Sequence, residues 1–196
     1  MKPVLRPVEP ADLQGLYRAE SSADRFTDWR FRGLTLAPHQ FGAMNSSRLL
    51  RNYVLASCEP LALVALHSLS ATDEVAEVAC TRFGAPGPQF GAAVALVLDE
   101  AFDLGLRQVR AEVAEFNLPS IEPILGLFFE RESIERGAVY HRARYWDLHG
   151  LVLRRDRWIE EVRPWLGRAR TLLDFRPVGL TGLTGPGPTR AARGEA

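Results

Sequence analysis

Apolar positions in the first half of the chain occur in short runs typical of β-strands. Residues 52–56 and 61–67 are apolar runs joined by a turn, and residues 75–81 alternate apolar and polar side chains. An extended segment over residues 4–8 precedes them. Because only short loops separate the three runs, we predict three consecutive antiparallel strands.

Helical spacing becomes frequent further along the chain. It predicts helices that begin near Asp12 and otherwise span residues 92–104, 117–128 and 154–173, with strand-like runs at residues 107–113, 139–141 and 147–153. This order predicts a single α+β domain over residues 1–175, with a mixed, mostly antiparallel sheet flanked by helices. Residues 176–196 are rich in Gly and Pro and are predicted to form a disordered tail.

Composition narrows the class of protein. With 46% hydrophobic and 24% charged residues, the 196-residue chain can form one core, which excludes a mainly disordered protein. Its 24 basic and 24 acidic side chains cancel, and this argues against nucleic acid as a partner, because polyanion binding needs excess positive surface. No apolar run reaches the roughly 20 residues of a membrane span, so we expect a cytoplasmic protein that does not enter membranes.

Neither the cysteines nor the histidines indicate a metal site. Cys58 and Cys80 lack ligand spacing, and we expect both to be reduced and buried. The four histidines are scattered along the chain. No metal is therefore predicted.

A loop rich in Gly and Pro, residues 83–91, joins the third of these strands to the next helix. The first turn of a helix presents unpaired N–H groups and partial positive charge, which can hold a pyrophosphate. Gly91, Ala92 and Ala93 are small enough to permit close approach of such a group. A plain strand-to-helix connector is the alternative interpretation.

Several segments, each unspecific alone, occur in the order and spacing of a known family. They are Leu5-Arg6-Pro7, residues 96–106, residues 109–117, Ser120-Ile121, Phe129, residues 144–147 and residues 155–158. Over residues 3–160 the sequence resembles the GCN5-related N-acetyltransferases, and within them the branch similar to ribosomal-protein-alanine acetyltransferases.

This resemblance implies that acetyl-coenzyme A, or another acyl-coenzyme A, binds between two splayed central strands with its pyrophosphate on the loop. It implies that a primary amine, on a small molecule or a protein N-terminus, attacks the thioester directly. The implied donor-binding residues are Ala79, Cys80, Thr81, Gln89, Phe90, Gly91, Ala92, Ala93, Asn117 and Ser120. The oligomeric state stays open: dimers are common for this fold, so a homodimer is one expectation, but no exposed apolar stripe in the sequence requires it.

The sequence departs from the family at two places. Pro88, Gln89 and Phe90 stand in the glycine-rich portion of the loop, where proline lacks an N–H and phenylalanine adds bulk. The family's tyrosine, often the proton donor to the leaving thiolate, falls on Ile124, which cannot transfer a proton. The pyrophosphate loop is therefore expected to be degenerate.

Four side chains are candidates for the proton transfers. Glu77 on the third strand is the first candidate for the base, and His67 at the end of the second strand is another. Ser120 and Tyr140 carry hydroxyls able to replace the missing acid. Each candidate has a purely structural alternative. Glu77 can be an outward strand residue and His67 a histidine whose hydrogen bonds are satisfied within the fold. Ser120 can be a helix cap and Tyr140 a packed ring. Asn117 is expected either to bond the pantetheine arm or to cap its helix.

Three functions stay open at this point. The first is N-acyl transfer from coenzyme A to an amine, and the second is a retired acetyltransferase scaffold that binds a partner or ligand. The third uses a coenzyme A or carrier-protein thioester for other chemistry. Trp29 and Phe31 are candidates to line the acceptor pocket, while Arg142 and Arg144 belong to a basic aromatic hairpin suited to an acidic substrate or a phosphate.

Overall fold

The computed structural model of the chain describes residues 2–21, 37–46, 51–70 and 72–177. Its strands are β1 Val4–Pro7, β2 Arg51–Ala56, β3 Pro60–Ser70, β4 Val75–Arg82, β5 Gln108–Ala114, β6 Glu130–His141, β7 Arg144–Arg154 and β8 Asp174–Phe175. Its helices are α1 Leu13–Glu20, α2 Pro38–Ser46, α3 Gly87–Asp103, α4 Leu118–Phe128, α5 Arg155–Arg157 and α6 Leu166–Leu172. A π-helical turn over Trp158–Val162 and a 3-10 turn over Arg163–Trp165 connect α5 to α6.

The described strands form one sheet in the order β6-β7-β5-β4-β3-β2-β1-β8. Neighbours are antiparallel except β4 with β5 and β1 with β8, which are parallel. β2, β3 and β4 are the three consecutive antiparallel strands that the sequence predicts. The α+β class, with a mixed and mostly antiparallel sheet between helices, is therefore confirmed.

Helices cover both faces of this sheet. On one face, Leu16 of α1 and Phe41 of α2 pack with Val54 and Leu63 in a small core. On the other face, α3 packs on the inward side chains of the central strands and forms the main core. Burial of these apolar faces is the main stabilising contribution to the fold.

The C-terminal segment, residues 155–175, belongs to the main core. The ring of Trp158 is fully buried and stacks on Phe102 with centroids 5.6 Å apart, and its Nε1–H donates to Asp99 Oδ1 over 3.3 Å. Burial raises the pKa of Asp99, and Arg163, 3.2 Å away, opposes that rise. This segment covers the outer side of α3 and so explains why that helix is apolar nearly all round.

Several local predictions are corrected or extended by the structure. α3 begins at Gly87 and not at residue 92, because prolines are tolerated in a first turn whose N–H groups have no helical partner. Cys58 is exposed because it lies in the turn between β2 and β3, whereas Cys80 is partly buried. Trp29 and Phe31 lie outside the described residues, as does the predicted tail from residue 178 onward, which stays a prediction.

Candidate active site

β4 and β5 begin as a parallel pair and then separate. Their pairing starts at Val75 and Gln108 and ends at Glu77 and Arg110. Beyond that point each strand stays paired only with its other neighbour, β3 or β7. We call the gap between them the cleft. Its two edges present backbone N–H and C=O groups that the sheet does not use, so an extended ligand can bond to them.

Glu77 and His67 meet at the closed end of the cleft, where the β4–β5 pairing stops. We call this end the vertex. Glu77 Oε2 lies 3.3 Å from Nδ1 of His67, its cross-strand partner on β3. The hydroxyl of Ser68 donates to the same oxygen over 3.3 Å and lies 3.2 Å from His67 Nδ1. The Glu77 side chain is 43% exposed, so a substrate can reach it. The two bases proposed from the sequence are thus brought together.

The sequence alone does not identify Ser68 as a site residue, because its position depends on a bulge in the β3–β4 pairing. The β3–β4 register shifts between His67 and Ser70, and Ser68 adopts a φ of 51°. Positive φ is usually marked by Gly or Asn, and this segment has neither. No local signal in the sequence therefore points to Ser68.

The predicted donor-binding residues of β4 lie along one edge of the cleft. Ala79 is partly exposed and shares the alternation of Glu77, whereas Cys80 packs against the main core and Thr81 is buried. Their side chains therefore leave mainly backbone groups for a ligand in the cleft. A backbone N–H at this edge is the type of donor that stabilises negative charge on a thioester carbonyl oxygen during attack.

The loop after β4 is folded around a carbonyl of the protein itself. The N–H groups of Phe83, Gly84 and Ala85 all donate to the carbonyl oxygen of Leu61 on β3, over 2.9, 3.1 and 3.1 Å. Converging backbone N–H groups of this kind are typical of anion-binding loops. Here these three N–H groups are bonded to the Leu61 oxygen of the protein itself.

The first turn of α3 adds few donors. Phe90 N–H already donates to the Pro86 carbonyl over 2.9 Å, and Pro88 has no N–H. Among the residues of this turn, Gly87 and Gln89 supply the N–H groups that remain for a ligand. No side chain caps the start of α3, so the N–H groups of Gly87 and Gln89 have no capping partner.

The side chains that follow turn away from the loop. Phe90 is 3% exposed and packs in the main core, as do Ala92 and Ala93. The bulk of Phe90 is therefore directed into the core and not into the phosphate position. Gly91 lies against α4, since a Cβ added there would stand 3.8 Å from Ile124 Cγ2. The Ile124 side chain is buried at this helix contact.

Coenzyme A, the donor implied by the resemblance, fits this site only in part. The facing edges of the cleft suit the amide groups of a pantetheine arm, which is extended and rich in hydrogen-bonding groups. The diphosphate would meet a loop whose three converging N–H groups are already bonded to Leu61. The residues present therefore fit the arm and its thioester but not the diphosphate.

The α4 end of the cleft holds the two remaining polar candidates. Asn117 ends the 3-10 turn Glu115–Asn117 and precedes α4, and its side chain makes no capping hydrogen bond with that helix. The cap role that its sequence context suggests is therefore not adopted. Ser120 lies in the first turn of α4, and its side chain is not among those described.

Tyr140 lies apart from the vertex, on the β6–β7 hairpin. Its ring is 61% exposed and packs on Tyr145 with centroids 5.1 Å apart. No hydrogen bond in the described part of the chain joins it to Glu77. Strand alternation puts Tyr140 and His141 on opposite faces of β6, and His141 stacks on Phe116 at 4.7 Å.

We call the open end of the cleft, where β4 and β5 end, its mouth. The tip of the β6–β7 hairpin, residues 141–144, extends beyond the end of β5 on this side. Ala114, the last residue of β5, pairs with Leu148, and the hairpin continues past that pair to its tip. The guanidinium carbon of Arg144 lies 3.3 Å from the ring centroid of Trp146. Arg142 and Ala143 form a tight turn with positive φ at both positions. The tip is thus a basic and aromatic element beside the cleft.

The described residues contain no group of three or more His, Cys, Asp and Glu side chains placed to hold a metal ion. None of their helices is long and apolar enough to cross a membrane.

Comparisons with known proteins identify the fold. No protein-family model and no curated protein sequence matches the chain. The spermidine N-acetyltransferase of Vibrio cholerae, solved with CoA and spermine, superposes with a TM-score of 0.69 at 18% identity, over 81% of this chain and 99% of that one. A protein described as a phosphinothricin N-acetyltransferase gives 0.63 at 19% identity, over 76% and 96%. The chain therefore has the N-acetyltransferase fold.

Proposed function

We propose that the protein is an N-acyltransferase that moves an acetyl or other acyl group from a pantetheine thioester to a primary amine. Coenzyme A is the donor that the resemblance implies, and the acceptor is a small molecule or a protein N-terminus. The observation that carries this proposal is the carboxylate of Glu77, paired with His67, at the point where β4 leaves β5. The fold shared with N-acetyltransferases supports it.

Glu77 acts in this proposal as the base. It takes a proton from the ammonium group, directly or through water, and the freed amine nitrogen attacks the thioester carbonyl carbon. The C–N bond forms, the C–S bond breaks, and the departing thiolate takes up a proton. A backbone N–H on the β4 edge near Ala79 polarises the carbonyl. Ser120, in the first turn of α4, remains our candidate donor of the last proton, with Tyr140 the other.

A small aliphatic amine is the first acceptor class to test. The fold neighbours include enzymes named for spermidine, which is a small amine, at 15–18% identity. The half-exposed carboxylate of Glu77 can attract a protonated amine as well as deprotonate it. A protein N-terminus is the other acceptor class, and a homodimer and a cytoplasmic location stay predictions from the sequence.

Two observations favour an alternative function, that of a retired acetyltransferase scaffold. A retired acetyltransferase scaffold, which binds a ligand or partner without acyl transfer, is favoured by the occupied loop and by Ile124 in place of a proton donor. It predicts that no combination of thioester and amine releases a thiol. The pairing of Glu77 with His67 favours the enzyme, because a retired site has no need of a base at its vertex.

The test is a thiol-release assay on the full chain, with acetyl thioesters of coenzyme A and of pantetheine and a panel of amines that includes polyamines and short peptides. We expect thiol release that depends on the amine and formation of the amide, seen by mass spectrometry. Thermal-shift measurements with the same thioesters report binding separately. Absence of both binding and thiol release at millimolar thioester would refute the proposal, and binding without release would favour the retired scaffold.

A further inference from the structure

We propose that the acyl donor of this protein is a thioester on the 4′-phosphopantetheine arm of a carrier protein, and not free acyl-coenzyme A. This inference rests on the proposed function and specifies its donor. It follows from the difference between the two parts of the donor site. The cleft accommodates the arm, whereas the loop does not accommodate the nucleotide's diphosphate.

The first observation is the occupied loop. Phe83, Gly84 and Ala85 direct their N–H groups to one oxygen, that of Leu61, within 2.9 to 3.1 Å. A diphosphate that used these groups would have to break three hydrogen bonds between β3 and the loop. Ala85 is also buried, so the loop cannot open without exposing part of the main core.

The second observation is the shortage of other donors. The N–H of Phe90 is bonded to Pro86, and Pro88 has none. Residues 83–91 contain neither Lys nor Arg, so no loop side chain supplies a positive charge. The N–H groups of Gly87 and Gln89 are enough for the single phosphodiester that links an arm to its carrier, which bears one negative charge. They are few for the diphosphate of coenzyme A.

The third observation is that the arm-binding part of the site is intact. β4 and β5 separate after Glu77 and Arg110, and their facing edges stay unpaired in the described structure. Asn117 follows the end of β5 at the α4 side of the cleft. A chain-like donor can therefore reach the Glu77 carboxylate at the vertex.

The fourth observation is charge at the mouth. Arg142 and Arg144 lie on the hairpin tip beyond the end of β5, are exposed, and make no ion pair within the described ranges. The tight turn at Arg142 and Ala143 places both arginines at the end of the hairpin. A carrier that presents acidic side chains around its arm would be complementary to this tip, and such complementarity steers association.

The reaction balances without any further reactant. The acyl C–S bond on the carrier's arm breaks and a C–N bond to the amine forms. The ammonium proton passes to Glu77, the attacking nitrogen loses a second proton as the amide forms, and the departing thiolate of the arm takes up that second proton. The products are the amide and the carrier with a free thiol.

Calorimetry on the full chain separates the two parts of the donor. The probes are coenzyme A, 4′-phosphopantetheine and adenosine 3′,5′-bisphosphate. We expect coenzyme A and 4′-phosphopantetheine to bind within about threefold of each other, and the bisphosphate to show no binding. Coenzyme A bound tenfold or more tightly than 4′-phosphopantetheine would overturn the inference and leave the proposed function standing. Absence of binding by all three would count against the proposed function itself.

Kinetics with an acetylated carrier protein test the mouth of the cleft. We expect a higher kcat/KM with the acetylated carrier than with acetyl-coenzyme A, and a ratio of carrier to acetyl-phosphopantetheine activity that falls about tenfold in Arg142→Glu. Arg155→Glu changes an exposed arginine far from the mouth and serves as the matched control. An equal effect of Arg142→Glu on both donors, or a clear preference for acetyl-coenzyme A, would overturn the carrier as donor.

Discussion

Glu77 and His67 face each other across β4 and β3, with 3.3 Å between Glu77 Oε2 and His67 Nδ1. Glu77 is also the last residue of β4 that pairs with β5, so this contact marks the vertex of the cleft. Sheet topology thus determines the position of this carboxylate. In the proposed reaction, a thioester that enters between the strands ends at Glu77, which takes the proton from the amine.

Replacement of Glu77 by Gln is expected to lower kcat by about 100-fold or more, because the amide cannot accept the ammonium proton. The affinity for the thioester should stay within about twofold, since the neutral side chain keeps its size and one acceptor oxygen. Steady-state kinetics and calorimetry measure the two quantities. Glu74→Gln makes the same chemical change at an exposed turn residue and should leave kcat unchanged. An unchanged kcat in Glu77→Gln would remove this residue from the mechanism.

Asn117→Ala distinguishes ligand binding from helix capping. A lost cap typically costs about 0.5–2 kcal/mol of stability, but Asn117 makes no capping hydrogen bond with α4. We therefore expect no loss of capping energy in Asn117→Ala, while KM for the thioester rises about tenfold, the equivalent of one hydrogen bond to the arm. Denaturant unfolding and initial-rate kinetics test both. A large loss of stability with an unchanged KM would assign Asn117 to the fold alone.

The order of strands and helices could be predicted from the sequence because each element shows its own period. The runs at residues 52–56, 61–67 and 75–81 are β2, β3 and β4, and the helical spacing after residue 92 is most of α3. The start of α3 was missed because Pro86 and Pro88 resemble loop residues, although a first turn accepts them. The α5–α6 region is helical as expected, but it is divided into short turns at Pro164.

The candidate site was less predictable, because it depends on contacts between distant segments. Pro88 signals a missing donor in the sequence itself, but nothing near residues 83–85 reveals that the Leu61 carbonyl accepts their three N–H groups. Phe90 is bulky in the sequence, and only the early start of α3 turns it into the core. Glu77 and His67 were identified singly, and their pairing follows from the β3–β4 register.

Trp158→Ala is expected to destabilise the protein by roughly 3–5 kcal/mol, since this fully buried ring packs between Phe102 and Phe128 and its loss leaves a cavity. It also removes the N–H that donates to the buried carboxylate of Asp99. Trp165→Ala is the matched control, because that ring is 57% exposed and should cost less than about 1 kcal/mol. Chemical denaturation measures both values. Equal effects would mean that residues 155–175 do not contribute to the main core.

We predict that the folded protein loses stability in mild acid because of the buried imidazole of His149. The residue lies on β7 opposite Val113, is 6% exposed, and neither ring nitrogen has a hydrogen-bond partner in the described part of the structure. Burial, reinforced by the charge of Arg131, holds the pKa of His149 below its ordinary value near 6.5. The unfolded chain therefore binds a proton at a higher pH than the folded protein does.

The free energy of unfolding should accordingly fall as pH drops from about 6.5 through the folded pKa of His149. In His149→Leu this contribution is absent, so we expect the variant to lose less stability than the parent protein between about pH 7.5 and about pH 5.5. Urea unfolding at both pH values measures the difference. His39→Gln removes an exposed histidine of α2 and should follow the parent protein. If His149→Leu also follows the parent protein, the buried imidazole does not control acid sensitivity.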